Sequence, residues 1–392
     1  MVTGFDILAG TARDELDGVL LLANMLMRGV TVEALPRQVL IAESSSGEEF
    51  SFVHGIPGAS GLSSVTFAQD KRMRRALMER SDIPVPKGAT FTMGAGTRGA
   101  QEFASRIGYP VTLKPAVGDN GIEAQHDIRN DAQLLDALKV LMLPTSHRPN
   151  FSRASYGLTE LREPGMVNGE LTVPPGYQFL VEKQTDGDYV RFLVLDGKIV
   201  SALLCSGYPS DLSLTAVTDV TDQVGDDLAN LVVRASRVIP GLRVIALDVI
   251  VPASGVATRK SERATVVEYS ERPGLWVQGV LSPQVAVDLA GKILEIGAPG
   301  VPEDARHAGV AVSYRLDAYA LPDPNGSVEY LEEGARERGL AVEFGEVDQL
   351  GGTVSMVISG EPLAIAALVD ALLAGKVGGV PVMRIRLTPK VI

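Results

Sequence analysis

Cys205 is the only cysteine among 392 residues. One thiol forms no internal disulfide and builds no cysteine cage for zinc, so a reducing, cytoplasmic setting is the expectation. Long apolar runs are missing too, and none reaches the roughly 18 residues that a membrane span needs. The opening Met-Val-Thr-Gly-Phe-Asp-Ile has neither the basic flank nor the apolar stretch of a secretory signal. Positive charge is in short supply: 36 Lys and Arg against 48 Asp and Glu give a net charge of −12. Phosphate backbones want a basic face, so DNA and RNA are poor partners for this chain. The four histidines, His54, His126, His147 and His307, are dispersed without the spacing of metal ligands. No G-x-x-x-x-G-K-[ST] pattern occurs, which excludes a P-loop.

What remains is the composition of a globular protein, 45% hydrophobic and 21% charged, long enough for two or three domains. Helical spacing over residues 11–28 and strand-like runs at 37–42 and 49–54 make a short N-terminal region, residues 1–66. A turn-rich stretch then leads to a helix over 70–80, stopped by Ile-Pro-Val-Pro86. A strand at 89–92, a helix at 97–107 and the strand ending at Lys114 follow. Residues 145–176 lack periodicity and read as a long excursion. Strands at 178–183 and 190–195, joined by a turn at Asp188, and a further run from Ile199 predict an antiparallel sheet. A helix from Asp226, a buried strand around Asp248 and a helix near 282–296 close the central part, 67–305. Residues 306–392 show the order β-α-β-β-α-β, the split βαβ or ferredoxin-like plan. The fold class expected is therefore α+β. The helix over 361–375 is strongly apolar, which favours its own sheet first and a dimer partner second.

The chemistry concentrates in the central part. Phosphate oxygens are met by cations and by backbone N–H groups in mobile glycine loops. Lys71 follows Asp70 at a helix start, and Lys114 ends an apolar strand, an expensive place for an ammonium without an anion beside it. Gly118, Asn120 and Gly121 supply the loop. Asp248 sits within an apolar strand, where a carboxylate either pairs with a side chain such as Arg191 or Arg243 or binds a cation. Glu268 ends the next strand, and magnesium takes carboxylates together with phosphate oxygens. Two lysines, a flexible loop and two strand-end carboxylates can hold a metal-bound nucleoside triphosphate.

The order of these motifs resembles the ATP-grasp superfamily. It is similar in particular to the branch with cyanophycin synthetase, the ATP-grasp half of bifunctional glutathione synthetase and D-alanine–D-alanine ligase. The match runs from about residue 60 to 298. It implies two α+β subdomains clasping ATP, 67–177 and 178–305. It also implies phosphate contacts from Lys71, Lys114, Gly118, Asn120 and Gly121, and a hinge for adenine and ribose at Glu182, Lys183, Gln184 and Asp188. Arg191 then faces the reacting phosphate, Arg272 is a candidate for gripping a substrate carboxylate, and Asp248, Glu268 and Ser270 fall on the metal ligands. The cofactors implied are ATP and Mg2+, with Mn2+ as a substitute. Three positions depart from the pattern: Ser270 replaces an asparagine, Glu123 a glycine, and Tyr189 stands where the hinge turn usually carries an acid. The activity implied is an ADP-forming ligation of a carboxylate to an amine, on amino acids or short peptides, in a homo-oligomer such as a dimer. A nucleotide-binding protein that has lost catalysis, or a carboxylate kinase without an amine acceptor, are the alternatives.

Overall fold

In the computed structural model, residues 11, 13, 15–44, 47–117, 124–144, 147, 164–207, 214, 216–252, 264–298, 300–301 and 310–390 are described. The chain divides into two compact units, residues 1–59 together with 273–392, and residues 60–272. The first begins with helix α1 (Leu16–Met27), apolar on every side and buried throughout, as a central helix must be. Its one amide, Asn24, is satisfied by donating to the carbonyls of Leu20 and Val287, each at 3.0 Å. Strands β1 (Thr31–Leu35), β2 (Val39–Glu43), β3 (Glu49–Val53) and β4 (Ile56–Pro57) follow as an antiparallel run.

The second unit opens with α2 (Leu62–Gln69) and α3 (Lys71–Arg80). The Asp70 carboxylate caps α3, accepting from the N–H groups of Arg72 at 2.9 Å and Met73 at 3.4 Å, which satisfies two of the orphan donors at the helix start. Next come β5 (Gly88–Thr92), α4 (Thr97–Ile107), β6 (Val111–Pro115), β7 (Gln125–Ile128), α5 (Asp131–Met142), the small hairpin β8 (Gly165–Val167) and β9 (Glu170–Thr172), and β10 (Gln178–Lys183). Strands β5, β10, β6 and β7 form one antiparallel sheet in that order. Ala100 and Ala104 of α4 and Leu134, Leu138 and Leu141 of α5 pack on its Val111, Leu113, Phe179 and Val181. The hairpin β8–β9 lies within the stretch expected to be irregular, whose residues 148–163 are outside the described residues.

A separate antiparallel sheet is built from β11 (Asp188–Leu195), β12 (Lys198–Cys205), β13 (Val217–Asp219), β14 (Val244–Val251) and β15 (Thr265–Ser270), in the order β13-β12-β11-β14-β15. Helix α6 (Asp226–Ser236) covers its apolar face. The expectation that residues 178–183 and 190–195 pair in one sheet is thus corrected. Strand β10 bonds to β5 and β6, whereas β11 bonds to β12 and β14. The link between them passes the end of β14 at Gly187, whose φ is +150° and where a Cβ would stand 2.2 Å from the carbonyl oxygen of Val251. Glycine is required there because nothing larger fits and the backbone angle is one that L side chains rarely adopt.

The chain then returns to the first unit with α7 (Trp276–Leu281), α8 (Pro283–Gly297), β16 (Val312–Tyr319), α9 (Pro324–Glu337), β17 (Ala341–Asp348), β18 (Thr353–Gly360), α10 (Pro362–Leu373) and β19 (Arg384–Pro389). From β16 the order is the expected β-α-β-β-α-β, with strands side by side as β17-β18-β16-β19. The boundaries at 66/67 and 305/306 differ from the observed division, and the cause is one strand pairing. Strand β19 continues into β1 through Val32↔Leu387, Glu33↔Arg386 and Ala34↔Ile385, so one eight-stranded sheet joins both ends of the chain. Helix α10 is buried against α1, which accounts for its apolar composition within this unit. The Tyr314 hydroxyl donates to the Leu26 carbonyl at 2.9 Å and ties β16 to the same helix.

Asp17 of α1 fixes the return into this unit, its two oxygens accepting from the N–H groups of Gly274 at 3.0 Å and Leu275 at 2.7 Å. Both bonds are buried and charge-assisted, so Asp17→Ala is expected to destabilise this unit by about 2–4 kcal/mol. Urea unfolding measures it, and a loss under about 0.5 kcal/mol, the range of an ordinary surface substitution, would contradict the assignment.

Candidate functional site

The five-stranded sheet has two unlike faces. One carries Val190, Phe192, Val194, Leu247, Val249 and Tyr269 into the core. Alternation puts Tyr189, Arg191, Asp248, Glu268 and Ser270 on the other. Arg191, Asp248 and Glu268 lie in one row across β11, β14 and β15, since Arg191 pairs with Asp248 and Asp248 with Glu268. A register shift directly after Asp248 marks a bulge at this row, a device that re-aims side chains near sites. All three are buried, at 3%, 2% and 5% exposure, and charges so placed persist only when compensated.

Compensation comes from within the unit. The Arg191 guanidinium donates to both oxygens of Asp248, at 2.9 and 3.1 Å. Burial pushes the Asp248 carboxyl up, while Arg191 and the Tyr189 hydroxyl pull it back part of the way. Arg243, the other partner considered for Asp248, is instead paired with Asp196. Glu268 forms an ion pair with Arg74 and has Lys114 Nζ at 3.8 Å. Burial opposes its ionisation, but Arg74, Lys114 and Lys71 outweigh it and hold its pKa down to about 2. Arg74 is thus the partner of one Glu268 oxygen, and Lys114 faces the other. Lys114 also bonds to Glu182 and to the carbonyl of Val267, both at 3.0 Å. Desolvation lowers the Lys114 pKa, but Glu182 and Glu268 raise it further, and the ammonium stays charged. Within residues 60–272 the described buried charges number five basic (Lys71, Arg74, Lys114, Arg191, Arg272) and five acidic (Asp70, Glu182, Asp248, Glu268, Glu271). The set is neutral by itself.

Two cavities adjoin this cluster. One is lined by Lys114, His126, Glu182, Lys183, Gln184, Tyr189 and Glu268, among others. The second is lined by Lys71, Arg74, Arg75, Lys114, Glu182 and Glu268 with apolar neighbours. Lys114, Glu182 and Glu268 line both cavities, Lys183 and Gln184 only the first, and Lys71 only the second. Arg191, Asp248 and Ser270 share the polar face without lining either cavity. Asp188 opens β11 and lines neither cavity. Arg272 is buried, and its N–H donates to the Ser270 hydroxyl at 3.0 Å. Gly118, Asn120, Gly121 and Glu123, with Arg148, Arg153 and Arg162 of the excursion, fall outside the described residues.

The side chains expected at a nucleotide hinge have internal partners. Glu182 takes Arg75 and Lys114, each at 3.0 Å. Lys183 donates to the carbonyls of Gly108 and Tyr109 at 3.0 Å. Gln184 exchanges bonds with Asp127 at 2.7 and 3.1 Å. Sequence reasoning missed Arg74 and Arg75, although their signal was present. Lys71, Arg74, Arg75 and Met78 recur at i, i+3, i+4 and i+7, one stripe of a helix. In α3 that stripe is the inward face, with Lys71, Arg74 and Met78 buried.

The described residues contain no group of three or more His, Cys, Asp or Glu arranged around a metal position, and no helix long and apolar enough to cross a membrane. Asp248 and Glu268 form a pair, and a pair of carboxylates completed by phosphate oxygens and water is what magnesium accepts. The Glu268 oxygens, buried and faced by Arg74 and Lys114, are carboxylate oxygens of the kind that this ion takes.

Because the pKa of folded Glu268 lies below that of the unfolded chain, its ionisation stabilises the fold fully above about pH 4.3. The contribution is lost as pH falls toward about 2. It amounts to on the order of 3 kcal/mol. Glu268→Gln is expected to flatten the acid dependence of urea stability in that window, and an unchanged slope would contradict the pairing.

No protein-family model matches the chain. Among solved structures it is similar to a bifunctional glutathione synthetase from Pasteurella multocida, at 15% identity and TM-score 0.40 over 69% of this chain and 44% of that one. The ATP-grasp ligase PsnB in complex with its minimal precursor gives 16% and 0.37, over 59% of this chain and 61% of that one. A D-alanine–D-alanine ligase from Bacillus anthracis gives 13% and 0.40, over 61% and 70%. The matched part thus spans under half of the glutathione synthetase and about three fifths of PsnB. The solved structures that this chain resembles are thus ligases, one of them described as an ATP-grasp ligase.

Proposed function

We propose that residues 60–272 bind ATP with Mg2+ and that the protein is an ADP-forming carboxylate–amine ligase acting on amino acids or short peptides. The observation that carries this reading is the buried Glu268 carboxylate, faced by the cations Arg74 and Lys114, in register with Asp248 and within reach of the charge of Lys71. Such an array is costly to bury for structure alone, because apolar residues of similar volume serve as well or better. It suits a ligand that brings both phosphate anions and a divalent cation.

In this reading Lys71 and Lys114 neutralise phosphate oxygens, and Asp248 and Glu268 hold the ion, with Ser270 as a further oxygen near them. The bound ion supplies charge neutralisation on the triphosphate. Arg191 offsets charge on the transferred phosphoryl group, and Arg272 grips the substrate carboxylate. An oxygen of that carboxylate forms a bond to the γ-phosphorus as the bond to ADP breaks, giving an acyl phosphate. The amine nitrogen then adds to the acyl carbon, and the tetrahedral adduct collapses with loss of phosphate. Phosphoryl transfer of this kind rests on positioning and charge, which is what a rigid row of strand-borne charges provides. For residues 312–389 we propose the ferredoxin-like plan, on the strand order β17-β18-β16-β19.

One observation favours a second reading, nucleotide binding without turnover: Asp248 and Glu268 each already have an arginine partner. ADP release with Mg2+, ATP and pairs of amino acids separates the two. The ligase reading predicts release that needs both an acid and an amine, and hydroxamate when hydroxylamine replaces the amine. Silence across all pairs while ATP still binds would favour the second. Glu268→Ala is expected to lower turnover at least 100-fold, on the order of 3 kcal/mol, and undiminished turnover would sink the assignment.

A further inference from the structure

We infer that Arg74 is a resident cation on Glu268 that makes divalent-metal binding conditional on nucleotide. The inference rests on the reading that Glu268 is a metal ligand, and it concerns a residue outside that ligand set. Glu268 is 5% exposed and its partner Arg74 equally so, with Lys114 Nζ 3.8 Å from the other carboxylate oxygen. Both oxygens are therefore faced by fixed positive charge. A metal ion on this carboxylate has to compete with those cations.

Arg74 does not depend on Glu268 for its place. Its Nη1 donates to the carbonyls of Tyr269 and Ala68. Its helix is fixed at the start by the Asp70 cap. The guanidinium therefore stays when the carboxylate turns toward another partner. The neighbouring carboxylate is engaged in the same way, with Arg191 on both oxygens of Asp248 at 2.9 and 3.1 Å. A bare divalent ion approaching this row finds both carboxylates already neutralised, Glu268 by Arg74 and Lys114 and Asp248 by Arg191, so it would add uncompensated charge to a buried site. A triphosphate reverses that balance, because its negative charge offsets the arginines while it supplies the remaining oxygen ligands. Metal then enters together with nucleotide, and free metal is refused.

The test is Mn2+ binding followed by the electron paramagnetic resonance signal of the free ion, with and without a non-hydrolysable ATP analogue. Wild type is expected to bind Mn2+ only with the analogue. Arg74→Gln is expected to bind Mn2+ without it, at least tenfold more tightly than wild type, and to lose that gain when Glu268→Gln is added. Arg74→Met repeats the neutral substitution with a side chain suited to the packing. Arg74→Lys keeps the charge and should remain as weak as wild type. Wild-type binding of Mn2+ alone, as tight as with the analogue, would overturn the inference without recourse to any variant. So would neutral variants, folded by circular dichroism, that gain nothing. Failure of the underlying reading shows differently: Glu268→Gln in the wild-type background would leave Mn2+ affinity with the analogue unchanged.

Discussion

The row that runs from Arg191 through Asp248 to Glu268 and on to Arg74 is the interaction on which the unit of residues 60–272 depends. It lies across three strands, so backbone register fixes the spacing of its charges before any side chain chooses a rotamer. Removing any one member leaves another charge buried and unpaired, which is more costly than the intact pair is stabilising. That asymmetry makes the row intolerant of piecemeal change. It also explains why the described buried charges of residues 60–272 sum to zero: a buried cluster without a ligand must be neutral by itself.

The rest of that unit serves to bring cations to the row. Helix α3 turns its basic stripe inward, and Asp70 holds its first turn. Strand β6 delivers Lys114 between Glu182 and Glu268. Gly187 lets the chain leave one sheet and enter the other past the carbonyl of Val251. The unit formed by residues 1–59 and 273–392 is held by different physics. Two apolar helices, α1 and α10, pack together, and a single strand pairing, β1 with β19, closes a sheet from the two ends of the chain.

Local patterns made much of this legible in the sequence. The helix over 97–107 is where the spacing and Gly108 put it, and Asp248 and Glu268 stood out because carboxylates within apolar strands need a partner. What escaped was non-local. Nothing in residues 31–35 announces that their partner is 384–389, more than 350 positions away. Strands β10 and β11 are adjacent in sequence and look like a hairpin, yet each has other partners in its own sheet. Lys183 and Gln184 bond to Gly108, Tyr109 and Asp127, partners that no motif specifies. Arg74 was missed because a basic helical stripe ordinarily faces water, and only its burial against β15 gives it a role.

The central claim is that this charge-neutral row is a nucleotide site whose Glu268 carboxylate leaves Arg74 for the metal of a bound triphosphate. A crystal structure with Mg2+ and a non-hydrolysable ATP analogue tests it most directly. The account predicts phosphate oxygens at Lys71 and Lys114, the ion on Glu268 and Asp248, and Arg74 separated from Glu268 but still bonded to the Tyr269 carbonyl. A nucleotide bound elsewhere, or one bound at this site with the Arg74–Glu268 pair intact and no ion on Glu268, would contradict it.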